Sequence, residues 1–299
     1  MLILRLPSQE TAAWVTHLVR VLQAHAKLGA LPRRLRVLDL CTGSGCIPLL
    51  FQHRLYDEPA ARPTQLNIMG VDLSRRAVDL ANSNKVKLLE QQTSELHGLE
   101  TKPKRSKAEE NQRVALRTIK TPALESMEFV QADMLAQPSD KPSDRIPALL
   151  DVLRRRQATQ WDILISNPPY ISPSAFNQTT SRSVRNHEPK LALVPPGSAG
   201  ASDEERGDLF YPRLYALADE VQAKMTLFEV ADLDQAIRVA GLAEKSGHWG
   251  RIEIWRDDPA AGTASDQHDA AGGFPVRGSG NGRSVFCVRR DAAMWVEHR

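Results

Sequence analysis

The residues with the most chemistry to offer stand at Asn167-Pro-Pro-Tyr170, directly after the apolar run Trp161-Asp-Ile-Leu-Ile-Ser166. Two prolines fix φ and remove two backbone donors, and the residue before each proline is pushed to extended geometry. The result is a rigid turn that presents the Asn167 side chain, the Pro168 carbonyl and the Tyr170 ring together, with Pro169 stiffening it. Two acceptors and an aromatic wall suit a planar amide or amine donor; a plain Pro-Pro loop is the competing reading. The second constellation is Asp39-Leu-Cys-Thr-Gly-Ser-Gly45, a turn between a strand-like and a helix-like run. Gly43 and Gly45 there can adopt positive φ and let a ligand approach the backbone. No third glycine follows at the dinucleotide spacing, since the chain continues Cys46-Ile-Pro48, so a pyrophosphate cradle is disfavoured. Asp72 ends the next apolar run, where a carboxylate can accept both hydroxyls of a ribose. Asp133 ends the one after, placed to hydrogen-bond an adenine amino group. Taken singly, a helix-capping aspartate and a solvated loop carboxylate explain these two as well. Jointly, a glycine turn and three acids at successive strand ends point to a nucleoside-bearing ligand.

The elements that must position these residues are readable from apolar periodicity. Residues 35–40, 66–71, 127–131, 161–166 and 225–230 are nearly continuous apolar runs, read as buried strands, with late strands at 250–255 and 283–288. Helices are predicted at 10–28, where Trp14, Val15, Leu18, Val19, Leu22 and Ala26 recur at helical spacing, and at 46–54. Further helices are predicted at 75–90 behind an N-cap at Ser74, and at 147–156, 208–224 and 233–244. Strands alternating with helices predict a mostly parallel sheet covered on both faces, with ligands bound beyond the carboxyl ends of the strands. The segment 91–123, with Lys102-Pro-Lys-Arg-Ser-Lys107 and few large apolar residues, reads as a solvated, partly disordered insertion. Segments 138–160 and 257–282 read as further mobile insertions.

Composition narrows the classes. The 299 residues carry 39 Lys and Arg against 36 Asp and Glu, a net charge of +3 that is too balanced to mark a nucleic-acid binder. Three cysteines, Cys41, Cys46 and Cys287, form no CxxC or Cys/His cluster, so no metal is expected and the thiols read as reduced. No apolar run approaches the roughly 18 residues of a membrane span.

Asp39-x-x-Thr-Gly-Ser-Gly45, Val71-Asp72-Leu-Ser74, Ala132-Asp133-Met134 and Ile165-Ser-Asn-Pro-Pro-Tyr-Ile171 resemble the motif series of class I S-adenosylmethionine-dependent methyltransferases. More narrowly, with His187-Glu-Pro-Lys-Leu-Ala-Leu193 and Pro7-Ser-Gln-Glu-Thr11, the chain resembles the HemK/PrmC family, which methylates a glutamine side chain of peptide-chain release factors. The resemblance implies a Rossmann-like fold, a mostly parallel seven-stranded sheet with helices on both faces and an antiparallel C-terminal strand. It implies S-adenosyl-L-methionine as cofactor, held by Asp39, Thr42, Gly43, Gly45, Asp72, Leu73, Asp133, Met134 and Asn167. Asn167, Pro168 and Tyr170 become the catalytic residues, and with Pro169 and Glu188 the substrate-binding ones. The implied partner is a release factor. A membrane partner is not expected, direct nucleic-acid binding is disfavoured, and a monomer is the default.

The departures are specific. Ser8 stands where the family has Arg, Ala12 where it has Glu, and His187 where it has Tyr. The family's N-terminal helical domain has no counterpart here, so residues 1–30 are expected to be the remnant of a linker to it and 31–299 the methyltransferase domain. The compartment is open between mitochondrion and cytoplasm. Two other readings stay open: a base methyltransferase acting on adenine N6 or guanine N2 that shares the Asn-Pro-Pro-Tyr turn, and a non-catalytic scaffold that keeps the fold.

Overall fold

The computed structural model describes residues 8–27, 32–57, 64–138, 146–178, 180, 182, 185, 189–197, 201–261 and 269–295. The chain enters through α1 (Gln9–Lys27) and then alternates. β1 (Arg34–Leu40), α2 (Cys46–Leu55), β2 (Gln65–Asp72) and α3 (Arg75–Glu100) are followed by α4 (Lys107–Ala115), a π-helical turn (Leu116–Lys120) and α5 (Thr121–Glu125). Next come β3 (Glu128–Gln131), α6 (Leu149–Arg155), β4 (Ile163–Ser166), α7 (Pro173–Gln178), α8 (Asp203–Gly207), α9 (Phe210–Glu220), β5 (Met225–Glu229) and α10 (Leu233–Ser246). The last strands are β6 (Trp249–Asp258), β7 (Ala270–Ala271), β8 (Phe274–Arg277) and β9 (Ser279–Arg289).

Among the described residues these strands form one sheet in the order β3-β2-β1-β4-β5-β9-β6-β8-β7. β1 to β5 are mutually parallel, and β9 runs antiparallel to both β5 and β6. This is a doubly wound, Rossmann-like arrangement with an antiparallel strand near its C-terminal end, as the sequence led us to expect, and the short strands β7 and β8 are added to the expected seven. The period-two alternation of strand side chains divides the core in two. Leu38, Leu40, Leu164 and Phe228 face α6, α9 and α10, while Leu35, Val37, Ile163, Ile165, Met225 and Leu227 face α1, α2, α3 and α5. In α1, Trp14, Val15, Leu18, Val19 and Leu22 are each at most 1% exposed. At about 1.5–3 kcal/mol per buried large apolar side chain, their burial is worth on the order of 10 kcal/mol, comparable to a whole domain's net stability. The helix therefore packs as part of the sheet's covering layer.

The expectation for 91–123 is corrected. α3 continues ten residues past the expected Glu90, to Glu100, and after a six-residue connection α4 runs through the π-helical turn into α5. Two causes are visible. Ser106 forms a capping box with Glu109, and Lys102 and Arg105 reach Glu109 and Glu110. Leu99, Leu116, Ala123 and Leu124 are buried, which anchors a polar segment at four points. The expected loop at 257–282 is also partly corrected. β6 extends to Asp258, and β8 pairs with it through Ile254 and Trp255. Residues 262–268 of that loop, and 139–145 of the segment 138–160, lie outside the described residues.

Candidate active site

β1 lies between β2 and β4, and the connections that follow β1 and β4 leave in opposite directions, toward β2 and β5, which opens a crevice at the carboxyl ends. The register pairs Leu40 with Val71 on one side and Ser166 on the other. The Ser166 hydroxyl donates to the Leu40 carbonyl at 2.8 Å. Ends so pinned deliver three turns side by side: 41–45, 72–74 and 167–170.

The first turn is tight. Cys41, Gly43 and Gly45 all take positive φ, of 60°, 55° and 76°. A non-glycine residue there is strained, and Cys41 is held by Thr42 N–H donating to Val71 O at 3.0 Å just beyond it. The two glycines serve different ends. A Cβ on Gly45 would strike the Phe129 ring at 2.8 Å, so Gly45 is required by packing of the turn onto β3. A Cβ on Gly43 would meet nothing within 4 Å: its space is open, as the floor of a ligand site should be.

Asp72 braces this turn. Its Oδ2 accepts from Gly43 N–H at 2.9 Å and its Oδ1 from Ser74 N–H at 2.8 Å. Burial holds its carboxyl above the ordinary range, against these two donors, which favour the ionised form. Leu73 beside it is 38% exposed, an apolar surface at the crevice edge. Asp133 Oδ1 accepts from Leu135 and Ala136 N–H, which folds the chain back on itself there. Met134 is buried, its sulfur 3.8 Å from the Cys41 thiol.

Asp39 is the outlier in electrostatics. It is fully buried at the end of β1, and neither carboxylate oxygen has a hydrogen-bond partner. Burial pushes its pKa up to about 8; the Thr42 hydroxyl lies close enough to temper the shift without being aligned as a hydrogen bond. The Thr42 Oγ1 is itself buried and unpartnered. Two orphaned acceptors next to the open Gly43 turn fit the α-ammonium of S-adenosylmethionine, which would satisfy both.

A cleft of about 860 Å³ spans the first and third turns. Thr42, Gly43, Asn167, Pro168 and Tyr170 line it, as do Thr11 of α1 and Glu229 of β5. Asn167 is half-buried on the wall of this space, while Pro169 is buried. The Tyr170 hydroxyl is already committed to Glu229 Oε1 at 3.1 Å, so what Tyr170 offers the cleft is its ring. The backbone beyond is fastened too: Ile171 N–H donates to Leu193 O at 2.9 Å, and Gln235 Nε2 donates to Tyr170 O at 3.3 Å. The structure thus brings Thr42, Gly43, Asn167, Pro168 and Tyr170 to one cleft and sets Asp72, Leu73, Asp133 and Met134 on the neighbouring strand ends. Glu188 lies outside the described residues, as do His187 and Pro7.

Glu229 was missed by sequence reasoning. Its signal is a lone acid closing the otherwise uncharged strand Met-Thr-Leu-Phe-Glu229, where only a partnered carboxylate can stay. The rim also carries Asp203, Glu204, Asp232 and Asp234, while its arginines Arg238 and Arg283 are paired with Asp208 and Asp257. Among the described residues no three His, Cys, Asp or Glu side chains could hold a metal ion, and no helix is long and apolar enough to cross a membrane.

The chain is 27% identical over 249 residues to the probable MRF1 mitochondrial N(5)-glutamine methyltransferase mtq1 of Schizosaccharomyces pombe, an alignment covering 83% of this chain and 63% of the relative. It is 31% identical over 160 residues to the release factor glutamine methyltransferase of Chlorobaculum tepidum, covering 54% of this chain and 35% of the relative. It is 27% identical over 189 residues to the mitochondrial MRF1 N(5)-glutamine methyltransferase MTQ1 of Saccharomyces cerevisiae, covering 63% and 42%. The chain spans less than two thirds of the length of each. No family model matches it. Among solved structures, the hMettl16 catalytic domain in complex with an RNA hairpin superposes with a TM-score of 0.46 at 12% identity, over 95% of this chain and 72% of that one; so distant a likeness carries no argument.

Proposed function

We propose that this protein uses S-adenosylmethionine to methylate the side-chain nitrogen of a glutamine, the one in the Gly-Gly-Gln motif of a peptide chain release factor. The observation that carries the reading is the rigid Asn167-Pro-Pro-Tyr170 turn facing a cleft floored by the open Gly43 turn. Three relatives named as glutamine methyltransferases support the choice of acceptor, and the two from yeasts are named mitochondrial, which favours that compartment.

Bound there, S-adenosylmethionine supplies an electrophilic sulfonium methyl. Asp39 and Thr42 would hold its amino-acid end, Gly43 its floor, Asp72 the ribose, and the Asp133–Met134 edge the adenine. The glutamine nitrogen is a poor nucleophile because its lone pair is delocalised into the carbonyl. Asn167 Oδ1 and the Pro168 carbonyl accept its two N–H hydrogens and fix its orientation, with the Tyr170 ring packed against the acceptor side chain. Held so, the amide can pyramidalise toward the methyl, and most of the acceleration comes from orientation and fixed dipoles. The proton is lost after transfer, so no strong base is required. The acidic rim disfavours a phosphodiester acceptor, because each phosphate brought to it adds like-charge repulsion.

The test offers tritiated S-adenosylmethionine with a release factor, a Gly-Gly-Gln peptide, DNA and RNA, using the parent and Asn167→Ala. Label is expected on the release factor alone. Asn167→Ala is expected to bind cofactor and melt normally while single-turnover rates fall by about 10²–10³, the usual effect of one preorganised polar group. Label on nucleic acid, or near-parental turnover by Asn167→Ala, would overturn the reading.

A further inference from the structure

Glu229 closes β5 on the face covered by α1 and is 4% exposed. Its Oε2 accepts from Thr11 Oγ1 at 2.8 Å and from Trp14 Nε1 at 3.1 Å, and its Oε1 accepts from the Tyr170 hydroxyl at 3.1 Å. One carboxylate therefore receives two donors from α1 and one from the Asn167-Pro-Pro-Tyr170 turn. The fold alone does not call for it, since an apolar side chain of the same volume would generally stabilise this position as well or better. Burial raises the Glu229 pKa; the donors on Thr11, Tyr170 and Trp14 oppose that shift, and the Arg283 guanidinium, itself paired with Asp257 at 2.9 Å, adds a smaller push toward the carboxylate.

The donors explain why the group is a carboxylate. An indole N–H only donates, so the atom facing Trp14 must accept. An amide in place of Glu229 would keep its oxygen toward Trp14 and Thr11 and turn its NH₂ toward Tyr170. The tyrosine hydroxyl would then have to accept, and its own proton would swing away. From this geometry we infer that Glu229 is a positioning residue: it clamps the Tyr170 hydroxyl, thereby fixing the ring that the glutamine side chain packs against, and it makes the placement of that ring depend on the seating of α1. The inference rests on the proposed function for its acceptor, but the coupling itself can be read without any reaction.

The experiment has two arms. The chain has four tyrosines, so 3-fluorotyrosine labelling gives four fluorine resonances, of which Tyr170→Phe identifies one. Trp14→Phe keeps the ring packing and removes the N–H donor. It is expected to shift the Tyr170 resonance in the parent and to leave it unmoved in a Glu229→Met background, whose side chain hydrogen-bonds neither Trp14 nor Tyr170. A Tyr170 resonance indifferent to Trp14→Phe in the parent would overturn the inference. Should Glu229→Met fail to fold, Thr11→Val combined with Trp14→Phe carries the same comparison, with the shift expected to exceed that of Trp14→Phe alone.

In the second arm, Glu229→Gln and Tyr170→Phe are each expected to raise the acceptor KM about tenfold, on the scale of one charge-assisted hydrogen bond, with cofactor Kd unchanged. Acting through one contact, the double variant should also lose about tenfold rather than about a hundredfold. Additive losses, or unchanged kinetics with only a lowered Tm, would sink the positioning role. If the parent methylates no release factor, it is the proposed function that falls, and the fluorine comparison alone decides this inference.

Discussion

Asp39 keeps a carboxylate where nothing around it is ready to receive a charge. Its folded-state pKa is raised from 3.8 to about 8 by burial, so the folded chain binds this proton more tightly than the unfolded chain does. Its contribution to stability is complete below the unfolded value and is lost as pH rises toward 8. Asp39→Asn, neutral throughout, should gain in melting temperature relative to the parent as pH rises from 5 to 8; thermal melts without cofactor check this. The same variant should bind S-adenosylmethionine more weakly, because it removes the acceptor that pairs with the ammonium. Asp72 tests a different contribution. Asp72→Ala should weaken cofactor binding about 10- to 150-fold, the equivalent of about 1.5–3 kcal/mol for a lost charged hydrogen bond, read by titration calorimetry. Unchanged affinity would leave Asp72 with no task beyond bracing Gly43 and Ser74. At this scale the sequence was informative where chemistry is local. Two prolines and an asparagine announce their own geometry, and so does a glycine turn. The lone acid closing β5 could be seen, but the role of Glu229 could not, because its partners Thr11 and Tyr170 lie 218 and 59 positions away and only tertiary packing brings them to it.

Helix termini and ion pairs govern what happened between 91 and 123. Low apolar content reads as disorder when residues are counted one by one, yet four buried side chains at Leu99, Leu116, Ala123 and Leu124 suffice when caps and neighbours order the rest. Trypsin should therefore leave this segment among the last cut, despite its many lysines and arginines. Ser106→Ala removes the capping box and should cost about 1 kcal/mol, seen as faster amide exchange in α4 with the sheet unaffected. Helix α1 carries a pH-dependent element of its own. His17 sits edge-on to Trp255 at 4.7 Å between ring centroids, and burial, reinforced by the nearby Arg277, lowers its pKa from 6.5 to about 4. A depressed basic group binds fewer protons folded than unfolded, so stability is lost as pH falls from 6.5 toward 4. His17→Phe should flatten that decline in denaturant titrations at pH 7 and pH 5; an unchanged slope would exonerate His17.

For the molecule as a whole, the seven main apolar runs were legible because a strand buried on both faces, parallel or antiparallel, has little room for polar residues. Their boundaries moved by a few positions. β7 and β8 were not legible, since a two-residue and a four-residue strand carry too little pattern to register. The order of the sheet cannot be read from chain order either, and one of its permutations matters beyond geometry. β9 is made after β5 and β6 yet sits between them, bonded to both. While the chain emerges from a ribosome, residue by residue, β5 and β6 have no neighbour in common. The unpaired edge of β5 stays open until residues 279–289 arrive, which is when an exposed strand most readily finds a wrong partner. Final closure of this sheet is therefore a late event in synthesis. A message cut short just before Ser279 would encode every residue of the cleft except Arg283, and still yield a sheet with a gap in its middle.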